Sequence, residues 1–195
     1  MSTTRRREPI SIEDYLAGEL VSSVKHEYVA GVVYAMAGAR NLHNAIAMNA
    51  GVALGSRLRG KKCRPFNSDT KIRVRLPTHT RFYYPDLSVV CRPNSPDESF
   101  QDEPKVVLEV LSRSTRRADA NEKKEAYLTI NSLAVYLLIE QDSAHVTAYR
   151  RTGQGFVAEV YEGLQAVVPL AEIEAELPLA ELYEAIEFVP EPEPE

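Results

Sequence analysis

Apolar residues recur along this chain at two periods, and the changes between them mark out the elements. In residues 41–58, Leu42, Ile46, Ala50, Ala53, Leu54 and Leu58 fall near helical spacing and Gly60 stops the run, which predicts the longest helix of the first half. Ser11, with Asp14 three positions on, is a capping pattern that opens a shorter helix. Residues 116–130 read as helical, and a last amphipathic helix follows Pro178. Residues 27–36 alternate around Ala30-Gly31 and predict a hairpin or a strand with a tight turn. Residues 63–66, 71–76, 85–91 and 134–140 read as strands, and 144–151 with 156–161 as a hairpin across Gly153 and Gly155. Residues 92–104, rich in Pro, Asp and Ser, predict a surface loop, while 106–111 are apolar apart from Glu109 and predict a central buried strand. Elements interspersed in this order imply a mixed α/β (α+β) fold, a mixed β-sheet flanked by helices.

At 195 residues and 44% hydrophobic, the chain supports one sizeable core. The expected organisation is a disordered basic arm over 1–9, with Arg5, Arg6 and Arg7, a single domain over 10–188, and a disordered Pro/Glu tail over 189–195. There is no leader pattern and no run approaching the ~20 apolar residues of a membrane span, so a soluble, cytoplasmic protein is expected. Cys63 and Cys91 lack a CxxC spacing and sit in apolar, strand-like surroundings, which predicts packing residues rather than a disulfide or a thiolate metal site.

The net charge of −5 conceals two unlike regions. Nine acids and no base lie between Glu172 and Glu195, leaving 19 acids against 23 bases in the preceding chain. Between Arg40 and Arg81, the cations Arg40, Arg57, Arg59, Lys61, Lys62, Arg64, Lys71, Arg73, Arg75 and Arg81 face only Asp69. Two readings stand: a phosphate-binding surface, or a solvated basic face that pairs with the acidic C-terminus.

Three residues point to chemistry. A carboxylate inside a buried strand is costly without a compensating cation, and alternation puts Glu109 on one face with Val107 and Leu111. A metal ion, a lysine or a paired arginine satisfies it. Asp86 opens the preceding strand, and two carboxylates on neighbouring strands suit a hard divalent cation, Mg2+ or Mn2+. A loop-edge cap is the simpler use of Asp86 alone. In the predicted helix, Asp119, Lys123, Tyr127 and Ile130 form one stripe that Tyr127 and Ile130 turn toward the core, so Lys123 points inward unless it snorkels to solvent.

The motifs Y-P-D at 84–86, L-E-V-L-S-x-S-T at 108–115 and D-x-x-x-K-x-x-x-Y at 119–127 resemble the Uma2 family, a branch of the PD-(D/E)xK nuclease superfamily. E-Y-V-A-G at 27–31, His43, S-D-x-K at 68–71 and E-L-P-L-A-E-L-Y at 176–183 extend the likeness over nearly the whole chain. The resemblance implies a restriction-endonuclease-like mixed sheet flanked by helices. It implies Asp86 and Glu109 as metal ligands, with the carbonyl of Val110 as a third, and Glu27 as an upstream acid. Leu111 stands where the superfamily lysine is usual, and Lys123 on the next helix takes that role. Asp69, Ser112, Ser114, Thr115 and Asp119 correspond to positioning or capping residues, and His43 to a helix histidine packed on the sheet.

The expected activity is metal-dependent hydrolysis of phosphodiesters in nucleic acid, DNA first, and the resemblance implies a homodimer as a candidate assembly, since many nucleases of this class cut as homodimers. A binding module without turnover on the same scaffold is the alternative. A small-molecule phosphoesterase has less support, because no Gly-rich phosphate loop, HExxH or G-x-S-x-G is present.

Overall fold

A computed structural model describes residues 8–112, 116 and 118–188. Most of the expected arm, the whole Pro/Glu tail, and Arg113, Ser114 and Thr115 of the sequence motif lie outside the described residues. Helix α1 (Ile12–Val21) begins where the capping pattern places it, with the Ser11 hydroxyl accepting the Asp14 N–H. Strands β1 (His26–Val29) and β2 (Val32–Ala35) form a hairpin, the first of the two readings of this segment. Its two turn residues, Ala30 and Gly31, both have positive φ (51° and 91°), the twist that suits a tight hairpin. A Cβ on Gly31 would fall 2.5 Å from the Cβ of Pro9, so close packing as well as φ requires glycine there. Helix α2 (Asn41–Arg57) follows.

The remaining strands are β3 (Arg64–Asn67), β4 (Lys71–Arg75), β5 (Thr80–Tyr83), β6 (Leu87–Val90), β7 (Phe100–Gln101), β8 (Pro104–Val110), β9 (Val135–Ile139), β10 (His145–Thr152) and β11 (Gly155–Glu162). They form two mixed sheets where one was expected. Sheet 1 runs β2-β1-β5-β4-β7, and sheet 2 runs β11-β10-β9-β8-β6-β3. Sheet 1 is antiparallel except for β4 with β7, and sheet 2 except for β8 with β9. The expected loop over 92–104 carries β7, whose two residues are buried. A further hairpin, β12 (Val167–Leu170) with β13 (Ala175–Pro178), leads into α4 (Leu179–Leu182).

The alternation of β8 separates two cores. Val106, Leu108 and Val110 pack against α2, the β12–β13 hairpin and α4. Val107 and Leu111 pack with Ile72, Val74 and Tyr83 of sheet 1, and with Tyr127 and Tyr136. Under α1, on the far face of sheet 1, Tyr15, Tyr28, Phe82 and Phe100 form a third cluster.

The cysteines correct the sequence reading: Cys63 and Cys91 are joined in a disulfide. β3 and β6 pair antiparallel with Arg64 opposite Val90, so the residues just outside that pair stand face to face. A separation of 28 residues hides this adjacency, and only the strand register reveals it. Among the described residues no helix is long and apolar enough to cross a membrane.

Candidate active site

The chain crosses from sheet 1 to sheet 2 between β5 and β6, and Tyr84, Pro85 and Asp86 make that crossing. β6 and β8 pair with Leu87 opposite Leu108, which sets Asp86 against Glu109. The Asp86 N–H donates to Glu109 Oε2 at 3.3 Å. Asp86 Oδ2 accepts the Val110 N–H at 2.7 Å, and its Oδ1 lies 2.8 Å from Nε2 of His43 on α2. Two carboxylates are thus clamped to one peptide-wide patch at the junction of the sheets.

The fourth predicted residue arrives from a helix whose form differs from expectation. A wide π-helical turn (Ala118–Lys123) precedes a short α-helix, α3 (Lys124–Leu128), where one α-helix was predicted. Insertions of this kind occur at functional positions because they re-aim a side chain without ending the helix. The inward stripe survives, and Asp119, Lys123 and Tyr127 are all buried. Lys123 Nζ lies 2.7 Å from Oε1 of Glu27 on β1 and 3.3 Å from Oδ1 of Asp119. The structure therefore brings Glu27, Asp86, Glu109, Val110 and Lys123 to one place, from both sheets and the intervening helix.

The charges there do not balance locally. Burial pushes the Glu109 carboxyl well above the usual carboxylate range; the Lys123 ammonium opposes this, while Asp119, Asp86 and Glu27 add to it. Burial also acts to lower the Lys123 pKa, but Glu109, Glu27 and Asp119 outweigh it and hold the ammonium charged. Glu109 Oε1 and the Tyr127 and Ser88 hydroxyls are buried without a hydrogen-bond partner among the described residues. Buried polar atoms are normally satisfied, so the unpartnered Glu109 oxygen indicates a place for a cation or solvent.

Among the described residues no three His, Cys, Asp or Glu side chains form a metal cage by themselves. An ion that keeps several waters and takes one or two carboxylates, as Mg2+ does, requires no such cage. Asp86 and Glu109, with the Val110 carbonyl, are the groups that would hold such an ion, and the observation that fits them to it is the unpartnered Glu109 Oε1.

His43 is the neighbour that sequence reasoning discounted: it is packed, as expected, but it also holds Asp86. Asp119, read as a positioning or capping residue, pairs with Lys123. Five of the ten cations over 40–81 are engaged by side chains within the chain. Arg57 pairs with Glu181 and Glu176, Arg73 and Arg75 with Asp102, and Arg81 with Glu122, while Lys71 is buried against the Tyr84 hydroxyl. The Arg57 partners belong to the acidic C-terminal segment, so that part of the set follows the pairing reading.

The sequence pattern of the family Uma2, described as "Putative restriction endonuclease", matches residues 12–183. The chain belongs to the Uma2 family. Two curated relatives come from Synechocystis sp.: uncharacterized protein slr1290 is 34% identical over 148 residues (75% of this chain, 76% of the relative), and uncharacterized protein sll1609 is 31% identical over 147 residues (74% and 82%). A crystal structure from Anabaena variabilis, described as "a putative nuclease belonging to DUF820", superposes with a TM-score of 0.68 at 19% identity, covering 85% of this chain and 93% of that one. The Uma2 fold here is thus the mixed, restriction-endonuclease-like architecture that the motifs implied.

Proposed function

We propose that this protein is a metal-dependent endonuclease that hydrolyses phosphodiester bonds in nucleic acid, with DNA as the first candidate. The observation that carries the reading is the half-buried Asp86 set against the buried Glu109, facing an inward lysine, with one Glu109 oxygen left unpartnered. Family membership supports the same class of activity.

Mg2+ or Mn2+ held by Asp86, Glu109 and the Val110 carbonyl would supply Lewis-acid polarisation of the scissile phosphate and acidify water. The chain's own residues supply the rest. His43 and the Val110 N–H fix the Asp86 carboxylate from two sides. Lys123, charged and anchored by Glu27, places a cation against the developing negative charge and orients the attacking water, whose oxygen adds to phosphorus as one P–O ester bond breaks. Glu27 sets the reach of Lys123 and completes the polar wall.

One observation favours the rival reading, a silent nucleic-acid- or protein-binding module: Lys123 is already engaged by Glu27 and Asp119. Cleavage of plasmid and single-stranded DNA, with Mg2+, Mn2+ or EDTA, by wild type and Glu109→Ala separates the two. Metal-dependent cutting lost in Glu109→Ala supports the nuclease; binding without cutting in either metal assigns the module.

A further inference from the structure

We propose that Tyr34 is a base-stacking residue of this site, and that the preferred substrate presents an unpaired nucleobase beside the scissile phosphate. The proposal rests on the nuclease reading above and adds to it the class of strand.

The argument is one of register. β1 pairs with β2 so that Glu27 stands opposite Tyr34, and with β5 so that Tyr28 stands opposite Phe82. One step along that second ladder sets Glu27 beside Tyr83, which in turn stands opposite Ile72 on β4. Residues directly opposite share a face of the sheet, so Ile72, Tyr83, Glu27 and Tyr34 form a single row. The first two are buried in the core between the sheets, and the third holds Lys123. The row ends on the edge strand at Tyr34, which is 54% exposed. Opposed pairs bring Cβ atoms to about 5 Å, so the Tyr34 ring starts beside the Glu27 carboxylate.

Of the ten tyrosines in the chain, Tyr34 alone is exposed; the other nine are buried or half-buried. Among the described residues, neither its ring nor its hydroxyl has a partner. Val32, also on this face and 50% exposed, lies beyond it opposite Val29 and extends the apolar step. An aromatic surface open to solvent thus borders a centre built for a phosphate, within the span of one nucleotide. A base inside a duplex is paired and stacked and cannot present its face there, whereas an unpaired base can lie on the ring.

The test uses the full chain with Ca2+ in place of Mg2+, and a single-stranded oligonucleotide bearing 2-aminopurine, checked to be intact after each titration. Wild type and Tyr34→Phe bind it alike and quench the fluorophore. Tyr34→Leu, which keeps a good strand former at the edge but no ring, raises Kd about 5- to 150-fold, the equivalent of the ~1–3 kcal/mol a stacked base contributes, and leaves affinity for a matched duplex unchanged. Wild-type affinity and quenching in Tyr34→Leu overturn the stacking role while the nuclease reading stands. No nucleic-acid binding by wild type defeats both. A concentration-dependent dimer lost in Tyr34→Leu, with oligonucleotide affinity retained, assigns the β2 edge to self-association and overturns the proposal.

Discussion

His43 Nε2 lies 2.8 Å from Asp86 Oδ1, joining the first turn of α2 to the crossing between the two sheets. The other Asp86 oxygen is held by the Val110 N–H at 2.7 Å, so the carboxylate is fixed in rotation by two donors. A partner that orients a metal ligand is typically worth about 10- to 100-fold in affinity or activity. His43→Leu is expected to lower kcat by about that factor, and His43→Gln, whose amide can donate from near the Nε2 position, to recover part of it. Equal loss in both variants, with unchanged metal affinity, would leave His43 a packing residue only.

Lys123 is the counter-charge for a buried cluster. Removing one partner of a buried ion pair strands the other, at a cost of about 3–5 kcal/mol. Lys123→Met, which keeps the bulk of the stem, is expected to destabilise the protein by about that amount in urea unfolding and to abolish cleavage. A stable, active Lys123→Met variant would place the needed cation elsewhere.

The direction of the Glu109 shift sets a pH dependence. Its folded-state pKa is raised above the ordinary carboxylate value, so above pH 4.5 the native state binds more protons than the unfolded chain. The stability this group contributes therefore falls as pH rises from 4.5 toward the folded value. Glu109→Gln removes the term, and in EDTA the variant is expected to be more stable than wild type near pH 8 by about 1–3 kcal/mol, the cost of an unsatisfied buried group. Scanning calorimetry from pH 5 to 8 checks this: the wild-type melting temperature should fall with pH more steeply than that of Glu109→Gln.

The Cys63–Cys91 disulfide closes a loop of 28 residues. Chain-entropy arguments put its contribution at about 3–4 kcal/mol for a loop of this size. Reduction, or Cys63→Ser with Cys91→Ser, is expected to shift the urea midpoint down accordingly. Peptide mapping under non-reducing conditions should recover the linked pair, and two free thiols in the oxidised protein would contradict it.

Much of this geometry was legible before any coordinates because it rests on local signals. A lone Glu109 in an apolar strand and an inward Lys123 on the Tyr127 stripe each advertise an unusual burial, and Asp86 opening the preceding strand supplies a second carboxylate beside Glu109. The capped α1, the β1–β2 hairpin and α2 follow from period and turn chemistry. What stayed hidden depends on pairings between distant segments. β5 is four residues long and carries no clear alternation, so the division into two sheets was unreadable. His43 shows in the sequence only as a buried helix position, and its bond to Asp86 spans 43 residues. The π-helical turn before Lys123 has no sequence signature of its own, although the core-facing stripe was right.

The most direct test of the account is calorimetric titration of Mn2+ into the metal-free protein and into Glu109→Ala. The carboxylate pair predicts binding by wild type that Glu109→Ala loses. No binding by wild type, or equal binding by both proteins, would contradict a cation site at Asp86 and Glu109.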